Sequence, residues 1–408
     1  MRRLLRGLLV VVAGLAVAGV FAIGAFFATL WVEHNVSLEL PRPTGSFAVG
    51  RMNTAWVDTA RMDPFAPAPA PRRELVVWIW YPAQRADSAH EAEYVPALWR
   101  SALAKHASAM VTQFFIRNPT KVRGHSIENA TVAAGDATYP VVIFNSGIGA
   151  LALQYSALVE DLVSHGYIVV GMDRPYSTSV VVMPDGRVIA LTARGNPGDG
   201  RVAAANFERA GETVVGVWTA DTRFVLDQLA RINEHDASGK LTGRMNLTAV
   251  GVVGHSIGGA SAAQFCHDDS RCRAGIDIDG ALHGSVIPES MPQPFMFLVA
   301  DHTKLLTAAD SQISAEIHSA SKRAPADKLT VTLIGAHHFS FGDQALTQSR
   351  ILRSVLVRIS GEGRLDPRTG LASTSRYVRA FFDVHLRGAS RDALYSAPLV
   401  AGARLEAK

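Results

Sequence analysis

The chain has 408 residues, 48% of them hydrophobic and 8% aromatic, with 40 Lys and Arg set against 36 Asp and Glu. That length and apolar content supply a sizeable core, which excludes a disordered or purely solvating chain. The charge is mildly basic and diffuse, with no basic run interleaved with aromatics beyond the N-terminus, and this excludes nucleic acid as a partner.

Arg2, Arg3 and Arg6 precede an uncharged stretch from Gly7 to Val32, closed by Glu33. The stretch exceeds the roughly 20 residues that span hydrocarbon and the about 7–15 of a signal-peptide core. Residues 1–32 therefore read as an N-terminal transmembrane signal anchor, favoured over a cleaved signal peptide. Arginines on the short side predict that end in the cytoplasm and the body in the periplasm or outside the cell, membrane-anchored, or secreted if the segment is cut. Residues 33–46 read as a polar, Pro-containing linker, 47–390 as the main domain and 391–408 as a C-terminal tail.

Residues 47–58 and 74–81 read as early antiparallel strands flanking the stiff Pro-rich loop 64–71. Residues 90–117 read as helical, and 105–117 as a segment that rests on a lipid surface or packs as core or lid. From residue 139 strands and helices alternate: strand 139–144, helix 153–165, strand 167–172, hairpin 180–191, amphipathic helix 208–233 and strand 247–253 with its helix. Strands 274–279 and 294–300, a helix near 307–320, a last strand 328–334 and helices 341–360 and 372–387 follow. Continuously apolar strands separated by helices predict an α/β fold, a mostly parallel central sheet with helices on both faces and chemistry at the carboxyl ends of the strands.

The most informative motif is Gly254-His255-Ser256-Ile257-Gly258, which closes the apolar run 247–253 and opens the small-residue stretch 259–263. Strand, tight turn and helix are the context of a G-x-S-x-G nucleophile elbow. A similar string, Gly124-His125-Ser126-Ile127-Glu128, lacks the last glycine and follows a polar loop. A serine hydroxyl needs a base, and the base needs an acid to orient it. Downstream of Ser256 the base lies in Gly335-Ala336-His337-His338-Phe339-Ser340-Phe341-Gly342-Asp343, where His337 and His338 compete. His283, His302 and His318 read as surface or packing residues. Asp279 and Asp301 each end a strand, and spacing does not choose between them; Asp277 sits inside its strand. The loop Asn145-Ser146-Gly147-Ile148-Gly149 is placed to supply one oxyanion-hole N–H from Gly147 or Ile148, and Ile257 the other. Cys266 and Cys272 read either as a disulfide, if the body lies outside the cytoplasm, or as two buried thiols. Two cysteines without matching histidines argue against zinc.

At these residues the chain resembles the plasma-type platelet-activating-factor acetylhydrolases, the lipoprotein-associated phospholipase A2 family of the α/β-hydrolase superfamily. The likeness covers roughly residues 43–390. It rests on Gly45-Ser46-Phe47-Ala48-Val49-Gly50, Trp80-Tyr81-Pro82, the strand 139–144 running into Ser146-Gly147-Ile148-Gly149, residues 162–169, the elbow, Pro292-Gln293-Pro294, and His338-Phe339-Ser340-Phe341-Gly342-Asp343 in an H-x-x-F-x-D pattern. The resemblance implies an α/β-hydrolase fold and a triad of Ser256, Asp279 and His338. It also implies oxyanion donors at the backbone of Ile148 and Ile257, no metal or other cofactor, and Ca²⁺-independent hydrolysis of short or oxidised acyl esters at the sn-2 position of phospholipids. Ser146 stands where the family commonly has histidine, and a membrane anchor is not the arrangement of the animal enzymes. The alternatives carried forward are a carboxylesterase or polyester-type hydrolase acting on a non-phospholipid ester, and a catalytically silent binding protein of the same fold.

Overall fold

The computed structural model describes residues 2–85, 90–106, 115–135, 137–198, 206–289, 291–302, 317, 327–360, 363–395 and 402–407. Residues 107–114, and the helix expected near 307–320 apart from Ile317, lie outside this set. The strands in chain order are β1 (Leu38–Glu39), β2 (Ala48–Met62), β3 (Arg72–Ala83), β4 (Val122–Arg123), β5 (Ser126–Glu128), β6 (Tyr139–Asn145) and β7 (Ile168–Asp173), followed by β8 (Val180–Val182), β9 (Val188–Ala190), β10 (Met245–His255), β11 (Cys272–Ile278), β12 (Phe295–Ala300), β13 (Lys328–Leu333) and β14 (Ala403–Ala407).

Ten of them form one sheet in the order β14-β13-β12-β11-β10-β6-β7-β3-β2-β5. The stretch from β13 to β7 is parallel throughout, while β3 runs antiparallel to both β7 and β2. The central strands are mostly apolar on both faces because helices cover both sides of the sheet. Val142, Phe144, Val253, Ile276 and Leu298 pack on one face, and Val141, Ile143, Val250, Val252 and Phe297 on the other, with the period of two that a strand imposes. The chain steps from β6 to β7 in one direction and from β10 through β13 in the other. The topological switch point therefore lies between β6 and β10, where a crevice opens at the carboxyl ends of the strands. This is the mixed sheet with helices on both sides of the α/β-hydrolase fold.

Three expectations change in detail. Among the described residues of 90–117 helix forms over Ala97–His106, and residues 90–92 run beside β5 instead: the Ala92 N–H donates to the Ser126 carbonyl and the Glu128 N–H to that of His90. The 391–408 stretch is not a loose tail. It forms a short helix, Asp392–Tyr395, and then β14, which pairs antiparallel on the edge of β13. The 33–46 stretch is packed as well. The N-terminal helix Arg2–Asn35 runs past residue 32, β1 pairs with β4, and Leu30 and Leu40 are buried. From Arg6 to Asn35 this helix is long and apolar enough to cross a membrane, and its apolar window is fully exposed. Cys266 and Cys272 are disulfide-bonded, joining the end of helix Ile257–Asp268 to the start of β11, a bond that persists in oxidising compartments.

A charge cluster sits beneath the switch point. The fully buried Asp221 accepts from Arg73 at 2.7 Å and Arg61 at 2.9 Å, lies 3.3 Å from Arg174, and Asp63 takes the other arm of Arg73 at 2.7 Å. Arg174 in turn donates to Asn145 Oδ1 at 2.7 Å, at the end of β6. Burial pushes the Asp221 carboxyl up, but Arg73, Arg174 and Arg61 outweigh it and hold it below the usual range. Asp221→Ala leaves buried guanidiniums without their acid and is expected to cost about 3–5 kcal/mol, read from the denaturant midpoint. Because the folded pKa is depressed, this stability is present above the unfolded carboxylate pKa and is lost as pH falls through the folded value. The gap between wild type and variant therefore closes in acid.

Candidate active site

β10 ends at His255 and the next helix begins at Ile257, so Ser256 turns the chain alone. It does so at φ 58° and ψ −131°, a conformation that non-glycine residues rarely adopt and that persists only where the surroundings enforce it. The enforcement is visible in the flanking glycines. A Cβ on Gly254 would collide with the Gly258 carbonyl, and one on Gly258 with the carbonyls of Asn145 and Ser146. The Ser256 N–H donates to the Ile278 carbonyl at 2.8 Å, pinning the turn to the end of β11.

Asp279 follows β11 directly and is the second residue here at positive φ, 54°. Its side chain is 1% exposed, and both oxygens are engaged. Oδ2 accepts from His338 Nδ1 at 2.8 Å, and Oδ1 accepts from the Ala300 N–H and from His302 Nε2, each at 2.8 Å. Burial pushes the Asp279 carboxyl up, but the hydrogen bonds from His302 and His338 and their charge outweigh it and hold it well below the carboxylate range. With Nδ1 carrying the proton given to Asp279, His338 Nε2 is left as an acceptor.

The other sequence candidates take different places. Asp301 Oδ2 accepts from the Gly335 N–H at 3.0 Å, and its N–H donates to the Ala336 carbonyl, bracing the turn before the histidines. His337 Nδ1 accepts from the Phe339 N–H at 3.1 Å, and its N–H donates to Ser340 Oγ, so it caps the short helical turn His338–Phe341. Asp277 is fully buried, and its Oδ1 accepts from the Gly280 N–H. Asp343 accepts from the Ser156 and Ala157 N–H groups and from Tyr94, tying the His338 loop to the helix Ser156–Ser164; burial pushes its carboxyl up to about 7. Ser126, in the similar string, donates to buried Glu160 at 2.6 Å, a structural bond far from the switch point in the sheet order.

The loop after β6 lies against the elbow: a Cβ on Gly147 would sit 3.5 Å from Ser256 Cβ and 3.2 Å from His255 Nδ1. Neither the Ile148 nor the Ile257 N–H has an acceptor among the described residues. Ile257 opens the helix, whose first N–H groups have no intrahelical partner and lie at the positive end of its dipole.

Sequence reasoning missed three residues. His255 Nε2 lies 2.8 Å from the His338 carbonyl, which can only accept, so Nε2 carries the proton. Its Nδ1 then accepts from the Tyr155 hydroxyl at 2.8 Å, and that hydroxyl receives the Gly147 N–H at 3.3 Å. This chain links the β6 loop to the His338 loop across the elbow. Its members also stack: the His255 and His338 ring centroids are 4.6 Å apart. Burial, and next the charge of His338, lower the His255 pKa to about 3, which keeps it neutral. The third is His302, expected as a surface or packing residue and found on Asp279. His255 lies within the elbow motif and His302 directly after a strand end, but neither position states its partner.

The family model described as platelet-activating factor acetylhydrolase, isoform II, matches residues 33–183 and 227–394. The chain is similar to a probable 1-alkyl-2-acetylglycerophosphocholine esterase of Arthroderma benhamiae, 28% identical over 38% of this chain and 36% of that one. It is also similar to the platelet-activating factor acetylhydrolases of Cavia porcellus, 23% identical over 63% of this chain and 60% of that one, and of Canis lupus familiaris, 23% over 85% and 77%. It thus spans about a third of the fungal relative and 60% of the guinea-pig one. Among solved structures it is similar to a ferulic acid esterase from Streptomyces cinnamoneus, with a TM-score of 0.72 and 27% identity over 91% of this chain and 99% of that one. With the family model matched over most of its length, and an esterase structure superposing on nearly all of it, the chain belongs to the platelet-activating factor acetylhydrolase, isoform II, family.

Proposed function

We propose that this protein is a serine ester hydrolase in which Ser256, His338 and Asp279 act as nucleophile, base and orienting acid. His338 Nε2 takes the Ser256 hydroxyl proton as Oγ attacks the ester carbonyl, and the N–H groups of Ile148 and Ile257 receive the oxyanion. The intermediate collapses by expelling the alcohol, which leaves with the proton from Nε2. Water then attacks the acyl-enzyme, gives its proton to Nε2, and the carboxylic acid departs as Ser256 recovers its proton. Asp279 fixes the tautomer and balances the imidazolium. The observation that carries this reading is the Asp279–His338 hydrogen bond of 2.8 Å, made at the switch point where the strained Ser256 turn ends the neighbouring strand.

The substrate class supported by the family is a phospholipid with a short or oxidised acyl ester at sn-2, met by an enzyme whose N-terminal helix tethers it to a membrane with its body on the far side from the cytoplasm. The likeness to a ferulic acid esterase favours a second reading, the same chemistry on a non-phospholipid ester. A fluorophosphonate probe is expected to label the full-length protein on Ser256, located by peptide mass; no labelling sinks the hydrolase reading and favours a silent binding protein. Turnover of an acyl series from acetyl upward, on choline phospholipids and on simple esters, decides between the two substrates.

A further inference from the structure

A cavity of about 740 Å³ lies between the foot of the N-terminal helix and the loop after β6, a size that holds a drug-sized ligand. Its inner end reaches Gly149, the neighbour of Ile148, and Gly149 is held there by bonds in both directions, its N–H to the Ser177 carbonyl and its carbonyl from the Ser179 N–H. Its outer end is formed by His34, at the foot of the helix.

The chemistry of the wall is one-sided. His34, Arg100, His106 and Arg117 line it, and no aspartate or glutamate is among the described lining residues. Arg100 is already neutralised by Glu93 at 2.9 Å. Arg117 is not. It is 9% exposed, its Nη1 donates to the Val36 carbonyl, its Nε has no partner, and no carboxylate lies within ion-pair distance among the described residues. Burial, and then the charge of Arg350, push its pKa down; Glu33 acts on it from beyond ion-pair distance and does not make up the difference. Between the cations Val95, Leu103, Ile116 and Val180 make the wall mostly apolar, with uncharged polar groups such as Gln154 and Gln348 among them. A buried cation beside an apolar surface fits an amphiphile that carries an oxyanion.

The outer wall is rigidly attached. Glu33 accepts from the Ser349 hydroxyl at 2.6 Å and the Arg350 N–H at 3.1 Å, and the His34 carbonyl accepts from the Asn118 N–H at 2.9 Å. The same strip carries Arg117, whose N–H donates to the Thr347 carbonyl at 2.6 Å.

We propose that this cavity is the substrate's head-group site: it takes an ester amphiphile bearing a phosphate or carboxylate, with Arg117 as its counter-charge and the foot of the N-terminal helix as its outer wall. The helix is then part of the binding site as well as a tether, and the ester is drawn from the lipid phase around the helix towards Ile148. The proposal rests on the hydrolase reading and deepens it.

The test uses full-length protein in vesicles and three dihexanoyl-chain esters: a glycerol phosphodiester, a carboxylate-terminated analogue and neutral dihexanoylglycerol. The readout is the ratio of kcat/KM on each anionic ester to that on the neutral one. Arg117→Gln is expected to lower the ratio about tenfold or more. Ser101→Glu, which places an acid in the wall from an exposed helix position, is expected to lower it as well, without disturbing the fold. Whichever anionic ester loses more identifies the oxyanion. A ratio within twofold of wild type, in Ser101→Glu or in an Arg117→Gln protein still labelled by the fluorophosphonate, overturns the head-group site alone. Wild type that is neither labelled nor active overturns it together with the hydrolase reading.

Discussion

Ser256→Ala is expected to lower kcat about a million-fold, to the level left by binding and the oxyanion hole alone. The size of the effect follows from what the substitution removes and what it keeps. Alanine retains the Cβ, so the turn at φ 58° is no easier or harder to form, and the Ser256 N–H still donates to Ile278. Only Oγ is lost, and with it the acyl-enzyme. Thermal unfolding of the variant should match or slightly exceed wild type, since a site strained for function commonly gives back stability when its function is removed. The matched control is Ser126→Ala in the similar string. Ser126 Oγ serves Glu160, so that variant should lose stability but keep both fluorophosphonate labelling and kcat. A Ser256→Ala protein that retains turnover, or a Ser126→Ala protein that folds and loses it, would show that the wrong serine had been chosen.

The parts of this fold that were legible in the sequence are those written locally. The β10–Ser256–helix turn declares itself through an apolar run, three glycines and a run of small residues. The parallel sheet declares itself through the alternation of apolar strands with helices. What was not legible depends on which distant segments meet. β14 has the sequence Ala403-Arg404-Leu405-Glu406-Ala407, too short and polar to read as a strand, and exists because β13 offers an unpaired edge. Glu33 and His34 read as the start of a linker because their partners, Ser349, Arg350, Ile116 and Asn118, are far away in the chain. His302 read as a surface or packing residue, and His255 as no more than a letter of the elbow motif, for the same reason. A hydrogen bond to the His338 carbonyl or to Asp279 leaves no mark on the local pattern.

The competition between Asp279 and Asp301 is the sharpest example, and its outcome is measurable. Both close apolar strands, so periodicity gives them equal standing, and only the reach of each carboxylate separates them. Asp279→Asn is expected to lower kcat by about four orders of magnitude, while Asp301→Asn stays within about twofold. In the first variant an amide faces His338 Nδ1. Its N–H group can donate to that nitrogen, which shifts the ring proton to Nε2 and blocks the base, and its neutral group no longer stabilises the imidazolium. In the second variant the asparagine oxygen still accepts the Gly335 N–H, so the turn before His337 keeps its brace. The pH dependence adds a second reading of the same site. Burial raises the Asp279 pKa, but the hydrogen bonds from His302 and His338 together with their charge outweigh it, so the carboxylate is held well below the usual carboxylate range. The acid limb of kcat/KM in wild type should therefore not report protonation of the Asp279 carboxylate. A pH profile whose acid limb disappears in Asp301→Asn, or a fully active Asp279→Asn, would move the acid to the next strand and leave the three bonds on Asp279 without a catalytic purpose.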